Sequence, residues 1–299
     1  MVSFNIIIRL SILLFYILLF VNTGFSQSKV NTFFKPSDTL NIPRRNSVII
    51  FESVVFVGGI IQLNKIFNKD QFSSNCTFIN DNSTCLQMDK AAHIFTSYQI
   101  GNMSYNLLNW AGVSKKNKLI YGAGMGFVFL TTAEVLDGFS KDSNASYGDV
   151  LANAGGTSLF VFQDLLWDEQ RIVPKFSFHS SQFISSNIKT MKTQIENEFD
   201  GQTFWLSANI HSFFKKSKVP NFLNIAIGYG VENLDKSISN TNNEPYRQLF
   251  LSLDVDLTRI KTKSHFLKTV FSILNCIKVP APTIEFSRNN RVKGHLIYF

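Results

Sequence analysis

The hydrophobic rhythm of this 299-residue chain changes near residue 175, and that change limits what it can fold into. Before that point apolar side chains recur at helical spacing in four long segments, residues 47–67, 90–110, 118–136 and 147–167. Positions three and four apart share a helix face, so each segment is predicted to be a helix with a wide apolar surface. Beyond it, residues 204–211, 222–229 and 249–257 alternate apolar and polar side chains, as strands with one apolar face do. In the third of these, Leu249, Leu251, Leu253, Val255 and Leu257 share one side, opposite Phe250, Ser252, Asp254 and Asp256. Shorter strands are expected at 283–287 and 292–299. The predicted class is α+β, an N-terminal four-helix bundle followed by a C-terminal antiparallel β region of about five strands. Residues 138–144 and 239–245, rich in Gly, Asn, Ser and Asp, are expected to be loops.

The first 26 residues have the layout of a secretory signal. Arg9 precedes an apolar run at 10–21, and Gly24-Phe25-Ser26 puts small residues where a signal peptidase cuts, before Gln27. The run is shorter than the roughly 20 residues a membrane span needs, which favours cleavage over an uncleaved anchor. No cysteine follows the run, which disfavours a lipid-anchored form. The expected organisation is a signal peptide at 1–26, a helical domain at 27–174 and a β region at 175–299.

A formal net charge of +8 is spread along the chain rather than gathered into a stripe with aromatics, which argues against nucleic acid. In an exported protein it suits contact with an anionic membrane or another envelope component. Protein partners and a cofactor are left unspecified by the residue types. Cys76 and Cys85 flank a polar loop, and an oxidising compartment would permit a small disulfide there, leaving Cys276 as a small apolar residue.

Small residues cluster at Gly58-Gly59, Gly122-Ala123-Gly124-Met125-Gly126 and 152–156. Glycine inside a helix costs about 1 kcal/mol relative to alanine, and close helix approach is the usual compensation. Glu52, Gln62, Gln99, Asn102 and Asn106 interrupt the apolar runs. A bundle facing water or lying on a membrane surface is therefore favoured over one embedded in the bilayer. Trp110 and Trp167 stand at helix ends, and residues 168–171 are expected to be a solvated helix end.

Three polar pairs at helical spacing interrupt this apolar background: Asp89 with His93, Glu134 with Asp137, and Asp149 with Asn153. Such groups are costly beside apolar surface unless they meet partners, so the three faces are expected to converge.

The motifs Met88-Asp89-Lys90-Ala91-Ala92-His93, Glu134-Val135-Leu136-Asp137-Gly138 and Ser146-Tyr147-Gly148-Asp149-Val150-Leu151-Ala152-Asn153 together resemble the YfiM family of bacterial periplasmic or envelope proteins. More distantly, the same layout resembles VanZ-like helical membrane proteins. The likeness spans roughly residues 89–167, and the C-terminal half looks like the longer form found in Bacteroidetes-type bacteria. It implies an export location but brings no established activity. The terminal His295-Leu296-Ile297-Tyr298-Phe299 resembles the closing strand of bacterial outer-membrane barrels. The smallest such barrels have about eight strands, so a small sheet packed on the helices is favoured. The protein is expected in the periplasm or outer membrane of a Gram-negative bacterium.

The cluster has competing uses, one of them ligand binding without chemistry, for instance of a lipid headgroup or a partner's helix. As a structural network, Asp89 and Ser146 would cap helices while His93, Glu134 and Asp149 tie three helices together. As a metal site, His93, Glu134, Asp137 and Asp149 would supply one nitrogen and several oxygens, suited to zinc, manganese or iron. As a catalytic site acting on lipid or glycan, His93 would be a general base oriented by Asp89 or Glu134, with Asp149 beside it. Lys90 would then hold an anionic group and Ser146 would be the nucleophile, while Asp137 and Asn153 complete the binding set. A structural or binding role at the periplasmic face of the outer membrane is the favoured expectation, and an envelope enzyme or metal-binding protein is the alternative.

Overall fold

A computed structural model describes residues 27–66, 76–82, 84–140, 144–179, 199, 201–234, 244–287 and 291–299. The signal segment, Phe67 at the end of the first expected helix, residues 141–143 and residues 239–243 lie outside the described residues. The chain is an α+β protein with a six-stranded antiparallel sheet in its C-terminal half.

Its longer helices are α1 (Gln27–Phe34), α2 (Ile42–Ile66), α3 (Met88–Trp110), α4 (Met125–Gly138), α5 (Tyr147–Trp167) and α6 (His265–Leu274). The expected four-helix bundle is not formed. Helices α3, α4 and α5 pack on one another, whereas α2 lies outside them, and Val48 is its one buried side chain among the described residues. Helix α2 and the stretch Lys115–Gly138 are long and apolar enough to cross a membrane by length and composition. The third expected helix is interrupted: Lys118–Ala123 widens into a π turn before α4 begins. Glycine permits the close packing of the remaining three. A Cβ on Gly126 would stand 1.9 Å from the Ser97 carbonyl oxygen, and one on Gly156 would stand 2.2 Å from that of Ile94. Both neighbours of α3 therefore meet it backbone to backbone. Tyr98, Leu119, Ala123, Phe160 and Val173 fill the core beside this crossing.

A short parallel pair, β1 (Phe78–Ile79) with β2 (Ala145–Ser146), fastens the loop before α3 to the start of α5. The main sheet is a meander of β3 (Ile172–Phe178), β4 (Gln202–Asn209), β5 (Leu223–Glu232), β6 (Tyr246–Val255), β7 (Ala281–Ser287) and β8 (Arg291–Tyr298). One strand more than expected is present, because β3 straddles the change of rhythm near residue 175 and contains Pro174. Proline is tolerated on an edge strand, and here its carbonyl accepts a 2.6 Å bond from Gln99 Nε2. The outer edge of β3 is covered in turn: Phe176 N donates to Cys276 O and Lys278 N donates to Phe176 O, each at 2.9 Å.

The sheet curls strongly. Tyr298 on β8 reaches Thr203 on β4 at 3.2 Å and His179, just past β3, at 3.0 Å. Trp205, Ala226, Phe250 and Tyr298 fill the concave side. The leucine row of β6 faces outward and is exposed, while Asp254 and Asp256 on the opposite face are buried. Lys175 Nζ lies 2.8 Å from Asp254 Oδ2, both side chains fully buried, so the polar face is inward because its charges find partners there. Near β3 and β4 the convex side is covered by α3, where Phe95 meets the rings of Phe176 and Phe204.

Two further expectations are corrected. Cys76 and Cys85 are unpaired thiols: Cys76 lies against the end of α4 and Cys85 precedes α3. Of residues 168–171 only Asp168 is solvated, since Glu169 Oε2 pairs with Arg259 Nη2 at 3.1 Å and Gln170 Oε1 accepts from the Tyr98 hydroxyl at 3.0 Å.

Candidate binding centre

The three polar pairs do converge. Helix α3 supplies Asp89, Lys90 and His93, α4 supplies Glu134, and α5 supplies Asp149 and Asn153, with Ser146 as its cap. The start of α5 follows from its sequence: Ser146 Oγ accepts the Asp149 amide proton at 3.1 Å, as a helix cap should. Asp149 in the first turn also sits where the helix dipole favours a negative charge. The start of α3 is different. Cys85, Leu86 and Gln87 have φ values of 46°, 49° and 70°, and three consecutive non-glycine residues in the left-handed region are strained. That turn delivers Asp89 and Lys90 to the centre.

His93 is the hub. Its Nδ1 lies 2.9 Å from Asn153 Oδ1. A carbonyl oxygen only accepts, so this contact places a proton on Nδ1 and leaves Nε2 facing the carboxylates. Asp89 Oδ1 lies 3.5 Å, Glu134 Oε1 3.6 Å and Asp149 Oδ1 4.0 Å from that nitrogen. The other Glu134 oxygen accepts the Ser146 amide at 3.1 Å, which holds the carboxylate in place. Asn153 is fully buried, and among the described residues its Nδ2 has no hydrogen-bond partner.

Lys90 is the local counter-charge. Its Nζ lies 2.6 Å from Asp81 Oδ1, 2.8 Å from Asp149 Oδ1 and 3.4 Å from Asp89 Oδ2. These carboxylates raise its pKa against the opposing effect of burial. Burial pushes the Asp89 and Glu134 carboxyls up from their ordinary values, with the His93 ring pulling each back. For Asp81, burial is outweighed by the Lys90 and Ser146 bonds, and its pKa is lowered. Four carboxylates thus surround one ammonium and one imidazole.

Seven of the eight expected residues meet here. Asp137 is half-buried near the end of α4, and the ligand atoms that lie closest together are those of Asp89, His93 and Asp149. Ser146 is buried and its hydroxyl is engaged three times, as the cap, through a 2.5 Å bond to Asp81 Oδ1 and by a 3.4 Å bond from Lys90 Nζ, so it is poorly placed to attack anything. Lys90 faces protein carboxylates rather than an open anion site. Asp81 was not anticipated, because within a polar loop it looks like any solvated turn residue; only the β1–β2 pairing brings it to Ser146.

The donor atoms of Asp89, His93 and Asp149 lie within 4.8 Å of one another, the spread of a loosely preformed cation site. Ligands bound at about 2.1 Å in tetrahedral geometry are about 3.4 Å apart, so contraction by a few tenths of an ångström would suffice for the closest pairs.

Residues 77–164, less than half of the chain, match the model of the DUF2279 family, described as a predicted periplasmic lipoprotein. The match covers every member of the cluster and supports a relation to an envelope family. The protein is accordingly an exported one, of the periplasm or outer membrane of a Gram-negative bacterium. The closer likeness to YfiM and VanZ-like proteins rests on the motifs alone. Searches of curated proteins and of solved structures return no match.

Proposed function

We propose that this is a binding protein at the periplasmic face of the outer membrane, exported by the signal at 1–26, whose helical half holds a divalent cation. Asp89, His93, Glu134 and Asp149 would be the ligands, with zinc or manganese suited to one nitrogen and three oxygens. The observation that carries this reading is the direction of the His93 ring. With Nδ1 engaged by Asn153, Nε2 faces three carboxylates, so one nitrogen and three acidic groups converge where a cation would lie. Asn153 thereby plays the part of the outer partner that fixes a metal-binding histidine.

A second reading, a purely structural lock, is favoured by the Ser146 amide bond to Glu134 and by the way Lys90 joins Asp81, Asp89 and Asp149. One experiment separates them. The full chain is stripped with chelator, dialysed against zinc or manganese, and analysed for bound metal alongside His93→Ala. Binding predicts one equivalent in the wild type, its loss in the variant, and a metal-dependent rise in unfolding free energy of about 2.7 kcal/mol at a hundredfold excess over Kd. Absence of metal, together with a stability loss of about 1–3 kcal/mol in His93→Ala, would establish the lock instead.

A further inference from the structure

The C-terminal sheet is turned inside out relative to a water-facing one. Its concave side holds the buried Lys175–Asp254 pair, and Ser207, Asn224 and Asn209 continue the network: Ser207 Oγ donates to Asp254 Oδ2 at 2.6 Å and Asn209 Nδ2 donates to Asn224 Oδ1 at 2.8 Å. Its convex side carries Ile225, Ile227, Leu249, Leu251, Leu253 and Ile284, all exposed. The strand register makes these one patch, since Ile225 pairs with Leu253, Ile227 with Leu251, and Leu251 with Ile284. Polar side in and aliphatic side out is the polarity of a sheet whose surroundings are hydrocarbon.

We infer that this face is seated in the outer hydrocarbon layer of an anionic envelope membrane, to the depth of one leaflet. The inference rests on the membrane-surface part of the reading above and is independent of its cation. Three observations choose lipid as the occupant. The first is size: from Leu249 to Leu253 the row runs about 14 Å at about 3.4 Å per residue, half of a hydrocarbon core of about 30 Å. That is too short to span the core and matches one leaflet. The second is backbone satisfaction: β5, β6 and β7 each have a strand on both sides, and at the patch β6 pairs with β5 throughout and with β7 from Leu249 to Ser252.

The third is charge. The connection after β4 places Lys215, Lys216 and Lys218 at the end of the sheet where Leu253 lies, and the segment after β6 adds Lys261 and Lys263. All five are exposed, and residues 210–222 and 257–270 contain no Asp or Glu. Phe213 and Phe214 are exposed beside the first three. A basic rim with aromatics at the border of an apolar patch is the arrangement that meets anionic headgroups.

The test is flotation of the purified full-length protein with vesicles of phosphatidylethanolamine and phosphatidylglycerol, compared with vesicles of phosphatidylcholine alone. The double variant Ile227→Glu/Leu251→Glu is expected to lose at least tenfold in binding while its circular dichroism and melting stay unchanged, as exposed sites allow. Lys215→Glu/Lys216→Glu/Lys218→Glu is expected to remove the preference for the anionic vesicles. Unchanged flotation in the first variant would overturn the proposal. So would sedimentation showing a wild-type dimer that the same variant converts to monomer without affecting flotation, which would assign the face to a second copy. To cover any loss of folding, a spin label on Leu251→Cys, in a background with Cys76, Cys85 and Cys276 changed to Ser, reports depth directly. Greater accessibility to oxygen than to a water-soluble nickel chelate is expected, and the reverse would refute seating in lipid. Cation uptake retained by the Ile227→Glu/Leu251→Glu variant would show that the two readings stand or fall separately.

Discussion

The helical half and the sheet both bury ionisable groups, but they balance them differently. In the curled sheet, charges are matched: Lys175 with Asp254, and Glu285 with His295 at 2.8 Å and Lys293 at 3.8 Å. In the helical half, Asp81, Asp89, Glu134 and Asp149 share Lys90 and a histidine whose Nε2 faces three of them. A balanced network explains itself as architecture, because its buried acids Asp254, Asp256 and Glu285 each have a basic partner within the fold. An unbalanced one leaves a debt of positive charge for something outside the chain to supply. The contrast marks the helical cluster as the candidate site and the larger polar interior of the sheet as framework.

Breaking the balanced region should have the largest effect. Asp254→Ala strands a fully buried Lys175, and a loss of about 3–5 kcal/mol in denaturant unfolding is expected. A loss under about 1 kcal/mol would mean that the sheet interior is less tightly matched than its geometry implies. The unbalanced region should respond in the opposite direction. Asp89→Asn removes one of the crowded carboxylates, and the metal-free protein is expected to gain about 1 kcal/mol once solvent screening of this half-buried group is allowed for. A loss in the same measurement would favour the structural lock.

The smallest effect sharpens the comparison from the sheet side. Lys278 is buried with its ammonium 4.6 Å from the Trp205 ring centre, and burial lowers its pKa from 10.5 to about 8, with Lys175 adding to the fall and Asp254 opposing it. Below pH 8 the group is charged in both folded and unfolded chains, and the full cost of burying the charge is felt. Between pH 8 and 10.5 the unfolded chain keeps a proton that the folded one has released, so stability should rise with pH across that window. Lys278→Met should flatten this rise in melting curves collected from pH 7.5 to 10.5.

Much of the site was legible from local spacing. Asp89 with His93, and Asp149 with Asn153, each occupy one helix face, and apolar surroundings forced them toward partners. Asp137 misled for the same reason that Glu134 succeeded: spacing puts both on one side of α4, but only the crossing of α4 over α3 decides which of them comes within reach of the histidine. Asp81 carried no signal at all, since its importance comes from a two-residue strand pairing. The strands of the main sheet were legible as well, except for β3, whose proline disguised it. What local pattern could not supply was which face of the strands turned inward. Alternation shows that Leu251 and Asp254 lie on opposite sides, and it is silent on which side is buried.

The sequence by itself determined the change from helices to strands, the polar pairs on their helix faces, and an address in the bacterial envelope, because these depend on side chains a few positions apart. The tertiary structure decided the rest: that α2 stays outside the packed helices, that the carboxylates outnumber their counter-charges around His93, and that the sheet curls around its charges with its leucines outward. Those outcomes depend on which distant groups neutralise one another. Coulombic pairing across the fold is written in three dimensions and leaves no periodic trace along the chain.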